Sequence, residues 1–185
     1  MSYSPTRKLI NAEEYYRMGE VGILTEKDRV ELIHGDIIEM SPIGSQHSSV
    51  VNRISNILKE YLGKKAIVST QNPVHISDLS EPQPHIALVK PAEDYYAQRH
   101  PGPEDILLIV EVADTSLEYD RQVKLPLYAS AHIPEFWLVN LNDKEIEVYH
   151  TPMDTSYKLR ELCRPGDTIT FFAGNLAIKV DELLG

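Results

Sequence analysis

The charged residue that demands an explanation is Glu111, in the middle of the apolar run ILLIVEVA at 106–113. An ionised carboxylate inside such a strand carries a large desolvation penalty unless it is paired or binds a metal. Two readings stand side by side: an ion pair with a helix lysine or arginine, or a metal ligand or catalytic carboxylate. Glu31 in VELIHG is a second candidate. It alternates with Val30 and Leu32 and so points opposite to them; an ordinary exposed strand glutamate is the competing reading. Asp120, Lys124 and Tyr128 are spaced by four, which puts all three on one helix face. A surface ion pair beside a packed tyrosine has the same pattern.

Several elements must position these residues. Asn11 followed by Glu14 reads as a helix cap and capping box for a short helix at roughly 11–19. VELIHGDIIEM predicts a hairpin, with strands near 29–33 and 36–41. From Gln46 to Leu62 the apolar residues follow three-four spacing, closed by Gly63, the clearest amphipathic helix in the chain. Strands are expected at about 66–70, 73–77 and 85–89, and the run at 106–113 reads as a central strand buried on both faces. A helix near 119–131 contains Pro126, which predicts a kink or a late start. FWLVNL, EIEVYH, YKLREL and TITFF read as strands, and a short helix covers 180–184. The pattern is an α/β or α+β layer fold, with helices on a mixed sheet.

Composition sets the outer limits. The length of 185 residues suits one domain, and 42% hydrophobic with 25% charged residues excludes a disordered or collagen-like chain. The single cysteine, Cys163, excludes an intramolecular disulfide and a cysteine-rich zinc site. No apolar stretch approaches the roughly 20 residues of a membrane span. The start MSYSPTRKLINAEEYYRMGE lacks the apolar core of a secretory signal, so a cytoplasmic, reducing location is the default expectation. Eighteen basic against 28 acidic residues leave a net charge of −10, which argues against a general electrostatic grip on nucleic acid. Candidate phosphate contacts are scattered: Arg53, Lys64, Lys65, Arg99, Arg121 and Lys124.

The order of these features resembles the PD-(D/E)XK nuclease superfamily, and more narrowly a bacterial family of restriction-endonuclease-like proteins. The resemblance rests on VELIHGDIIEMSPIGSQHSSVVNRI, QPHIALVKP, ILLIVEVADTSLEYDRQVKLPLYASAHIPEFWLVNL and EIEVYH, spanning about residues 8–184. It implies one restriction-endonuclease-like domain over 1–185, with a mixed central sheet flanked by helices. It also implies metal-dependent hydrolysis of DNA phosphodiesters, with Mg²⁺ in the family. Glu111 matches the acidic ligand of the second catalytic strand. The lysine that usually follows two residues later is here Ala113, and Lys124 fits the role from the following helix. Glu31 matches an early acidic residue, Gln71 a residue lining the cleft, and His47 a histidine opening the long helix. The Val112 carbonyl would complete the metal shell, and Tyr128 would brace Lys124.

The departure is at position 85, where Pro84-His85 stands in place of the family's Pro-Asp. Imidazole suits Mn²⁺ or another transition metal better than Mg²⁺, which prefers oxygen ligands. The resemblance therefore implies catalytic residues Glu31, His85, Glu111 and Lys124, and metal ligands His85, Glu111 and Val112, with a weakened magnesium site. The alternatives are a catalytically inactive nuclease-fold module and a small metal hydrolase with another substrate. By analogy, DNA and a second copy in a homodimer are the expected partners.

Overall fold

The computed structural model describes residues 6–171 and 176–185. The apolar run forms the strand β5 (Ile106–Ala113) within a six-stranded sheet. Its neighbours are β3 (Ile67–Thr70), β4 (Ile86–Val89), β6 (Glu135–Asn140), β7 (Glu145–Met153) and β8 (Ser156–Cys163), in the order β3-β4-β5-β6-β7-β8. All adjacent pairs are antiparallel except β5 and β6, which run parallel. A parallel pair needs a crossover, and residues 117–130 supply it as a helical run.

Alternation along β5 sends its side chains to two cores. Leu108, Val110 and Val112 join Val50, Ile54 and Leu58 of the long helix α2 (Ser45–Leu62), together with Trp137. Ile109 and Ala113 face the opposite way, toward Tyr128, Phe136 and Tyr149. Glu111 shares their parity, so it enters this second layer beneath the crossover helix.

The crossover run has three parts: α3 (Leu117–Tyr119), a π-helical turn (Asp120–Lys124) and α4 (Leu125–Ser130). Pro126 lies in the first turn of α4. The wide turn precedes it, so the expected disturbance takes the form of a π segment, and the helix begins earlier than 119. Such turns re-aim side chains and recur at functional sites.

The hairpin forms as β1 (Val30–Ile33) and β2 (Asp36–Glu39). Its turn places His34 and Gly35 both at positive φ, 52° and 81°. A Cβ at Gly35 would also collide with Leu9. The first helix, α1 (Ala12–Glu20), carries the reciprocal capping box between Asn11 and Glu14. Asn11→Ala should therefore lower stability by about 1 kcal/mol in a denaturant titration.

The strand expected at 73–77 does not form; only Ser77 makes an isolated bridge, to Ser80. The Val74, His75 and Ile76 N–H groups donate instead to the Pro82, Pro101 and Ser80 carbonyls. The expected strand TITFF pairs with one that the sequence did not announce. β9 (Thr168–Phe171) pairs antiparallel with β10 (Leu176–Lys179), and α5 (Val180–Leu184) follows. Phe172, read as part of a strand, lies outside the described residues. Among the described residues no helix is long and apolar enough to cross a membrane.

Candidate functional site

Where β4 and β5 run together beneath the π turn, five of the expected residues meet: Glu31, His85, Glu111, Lys124 and Tyr128. Glu111 is completely buried. Its Oε1 accepts from the Lys124 ammonium at 3.0 Å and from the Tyr128 hydroxyl at 2.8 Å. Its Oε2 accepts from the His85 backbone N–H at 3.2 Å and lies against His85 Nδ1. Lys124 also pairs with Glu31 Oε1 at 3.2 Å. Glu31 is itself buried, which replaces the exposed strand glutamate as its reading. Its other oxygen accepts from the Gln83 N–H at 3.1 Å. The loop that follows the missing strand thus covers this carboxylate.

Charge states follow from this network. Burial alone would raise the Glu111 pKa, but the positive charge of Lys124 and the contact with His85 outweigh it and hold Glu111 well below the usual carboxylate range. Burial opposes the charge on Lys124, yet Glu111, Glu31 and Asp120 outweigh burial and hold its pKa above the ordinary lysine value. The ammonium is therefore fixed as a cation. An ionised carboxylate can only accept, so His85 Nδ1 carries a proton toward Glu111. The Val112 N–H, 3.2 Å from the same nitrogen, then has no lone pair to bond there.

Asp120 takes a different course. Burial, and then the charge on Glu111, push its carboxyl up to about 7. Its Oδ2 accepts from the Ser116 hydroxyl at 2.8 Å.

Part of this network lines a cleft of about 310 Å³, while Glu111 and Tyr128 lie behind the lining residues. Glu31, His47, His85, Asp120 and Lys124 all line it. Sequence reasoning missed Arg29, Glu39, Asp114 and Tyr119, which line it too. The signal for Asp114 was its place at the end of the buried strand; the others reach the cleft only through the tertiary fold. His47, at the start of α2, lies with its Nε2 2.9 Å from the Val112 carbonyl, and its ring centroid is 4.4 Å from that of His85. Burial, and then the neighbouring His85, lower the His47 pKa. A neutral His47 donates through Nε2, leaving Nδ1 as a buried atom with no hydrogen-bond partner. The Tyr119 hydroxyl is likewise buried and without a partner.

Gln71 is not among the lining residues. It follows β3 at a positive φ of 55° and donates its backbone N–H to the His85 carbonyl at 3.2 Å. It holds the backbone of the site, and its side chain is exposed.

Of the scattered basic residues Lys124 lines the cleft, while Arg53, Lys64, Lys65, Arg99 and Arg121 do not. Arg99 pairs with Asp105, and Arg121 with Glu147. The fixed cations lining the cleft are Arg29 and Lys124.

The expected metal shell can be tested against these donors. Both oxygens of Glu111 are engaged by protein groups, the Val112 carbonyl faces His47, and His85 Nδ1 faces Glu111. Among the described residues no group of three or more His, Cys, Asp or Glu could hold a metal ion. A hard cation needs several free oxygens. The donor set in this arrangement does not fit Mg²⁺.

A family model, Uma2, described as "Putative restriction endonuclease", matches residues 12–180. Among solved structures, the chain is similar to one from Anabaena variabilis described as a putative nuclease belonging to DUF820. The TM-score is 0.73 at 14% sequence identity, over 95% of this chain and 97% of that one. That likeness carries the fold: a mixed sheet flanked by helices, as the sequence resemblance implied. No curated protein matches.

Proposed function

The chain belongs to the Uma2 family, described as "Putative restriction endonuclease", and from that premise we propose that it is a nuclease that hydrolyses DNA phosphodiester bonds in the cleft over Glu111. One observation carries the reading. Three charged side chains, Glu31, Glu111 and Lys124, are buried together at the base of an open cleft. Burying charge is unfavourable even in pairs, and such clusters concentrate where chemistry is done. The unpartnered Tyr119 hydroxyl and His47 Nδ1 add two hydrogen-bonding groups that a bound molecule could satisfy.

The residues present can perform the hydrolytic step as follows. Glu111 accepts the His85 Nδ1 proton and so orients the ring. Nε2 is left as its basic atom, on a side chain that lines the cleft. Nε2 takes a proton from water as the water oxygen bonds to phosphorus. The phosphorus–oxygen bond to the leaving group breaks, and the leaving oxygen takes a proton from solvent. Lys124, fixed as a cation, offsets the charge that builds on the phosphoryl oxygens. This assigns Glu111 and Lys124 positioning and electrostatic roles, with His85 as the proton acceptor.

A supercoiled plasmid tests the reading in three parallel arms: chelator, Mg²⁺ and Mn²⁺. Nicking in at least one arm, lost in His85→Ala and in Glu111→Gln, is the expected result. Intact plasmid in all three arms would remove the nuclease reading. The engaged oxygens of Glu111 favour a second reading, a catalytically inactive module of the same fold. It predicts that outcome together with retained binding of DNA.

A further inference from the structure

We infer that His85 takes the place of a metal ion beside Glu111, so that the cleft works without a bound divalent cation. This rests on reading the cleft as the working site; it concerns what occupies the oxygens of Glu111. Two buried carboxylates must have their oxygens satisfied by charge or by hydrogen bonds. The protein supplies every partner itself: Lys124 bridges Glu31 and Glu111, Tyr128 and the His85 backbone donate to Glu111, and the Gln83 N–H donates to Glu31. The His85 ring closes the last side by setting Nδ1 against Glu111 Oε2.

A divalent ion would have to displace the ring or the ammonium to reach a Glu111 oxygen. It would gain one carboxylate and lose hydrogen bonds already made in a fully buried site. The backbone oxygen of the expected shell, that of Val112, lies 2.9 Å from His47 Nε2. The other cleft acids do not repair the deficit. Asp120 bonds Ser116, and among the described residues no three such side chains are placed to hold a metal ion.

The choice of residue at 85 is decisive because its backbone already donates to Glu111. The side chain at 85 therefore starts beside this carboxylate. An imidazole completes the network from within, whereas a carboxylate at this position would face Glu111 as a like charge and require a cation between them.

The experiment uses the full chain, freed of metals with a chelator and dialysed. Mn²⁺ and Mg²⁺ are then titrated separately, followed by thermal melting and by electron paramagnetic resonance of free Mn²⁺. For the natural sequence, no saturable Mn²⁺ site and an unmoved melting temperature are expected. His85→Asp should melt lower in chelator, recover on adding Mn²⁺ or Mg²⁺, and bind Mn²⁺ at least about tenfold more tightly than the natural sequence. His85→Ala should melt lower without gaining a metal response.

A one-to-one Mn²⁺ site in the natural sequence that disappears in Glu111→Gln overturns the inference. So does a folded His85→Asp that binds no metal. If His85→Asp fails to fold, the titration of the natural sequence still decides. Plasmid nicking only in the metal arms would refute the inference while leaving the nuclease reading intact. Absence of nicking in every arm would strike the nuclease reading; the metal titration still decides whether His85 replaces a cation.

Discussion

Lys124→Met will lower the unfolding free energy by about 3–5 kcal/mol in a urea titration at neutral pH. Methionine keeps most of the stem's volume, so the loss isolates the charge. In the native chain the ammonium lies 3.0 Å from Glu111 and 3.2 Å from Glu31. Without it, two buried carboxylates share one pocket, with only neutral donors, the His85 ring among them, to answer them. The sign of the effect with pH is diagnostic. In the variant, acidification lets one carboxyl take up a proton and relieves the repulsion, so the deficit shrinks as pH falls. Adding Glu31→Gln to Lys124→Met should recover at least about 1 kcal/mol, because the two sites share one network. A loss below about 1 kcal/mol, or a double variant that is simply additive, would show that Lys124 is an ordinary surface-like pair.

How far the sequence reveals this site depends on how local each cause is. The capping box at Asn11 and the periodicity of α2 act within one or two turns, and both appear where their residues predict them. Glu111 is legible because a charge in an apolar strand must be answered. Its two readings converge in part: the helix lysine of the ion-pair reading is Lys124, the residue the resemblance placed at the site. Glu31 is less legible. Alternation gives the face of a strand but not what covers that face, and Gln83, 52 residues away, covers it. The segment 73–77 looks extended from Val74 and Ile76, yet its backbone donors are taken by loop carbonyls that no pattern in the segment announces. The π turn is equally hidden. Pro126 signals that the helix must be disturbed, while the packing of Lys124 and Tyr128 against Glu111 fixes how. The resemblance supplied the order of the site residues, and the substitution at His85 flagged the place where donor chemistry departs from it.

Asp120 provides the sharpest dependence of stability on pH. An ordinary aspartate loses its proton near 4, whereas burial and the charge on Glu111 push Asp120 up to about 7. Between these values the native chain holds a proton that the unfolded chain has released. Stability contributed by this group is therefore full below about pH 4, falls as pH rises through that window, and levels off above about 7. At about 1.4 kcal/mol per pKa unit, the fall amounts to roughly 2–4 kcal/mol. Asp120→Asn keeps the acceptor for the Ser116 hydroxyl, which lies 2.8 Å from Asp120 Oδ2, and cannot ionise. Urea titrations of both proteins from pH 4 to 8 should give curves that diverge with rising pH, with the variant the more stable by roughly 2–4 kcal/mol at pH 8. Parallel curves would mean that Asp120 ionises normally in the folded state. A divergence of opposite sign would mean that Lys124 draws Asp120 into its ion-pair network as a third carboxylate. The direction matters for the cleft as well as the fold. A protonated Asp120 leaves Lys124 to Glu31 and Glu111 alone, and removes one negative charge from the lining of the cleft.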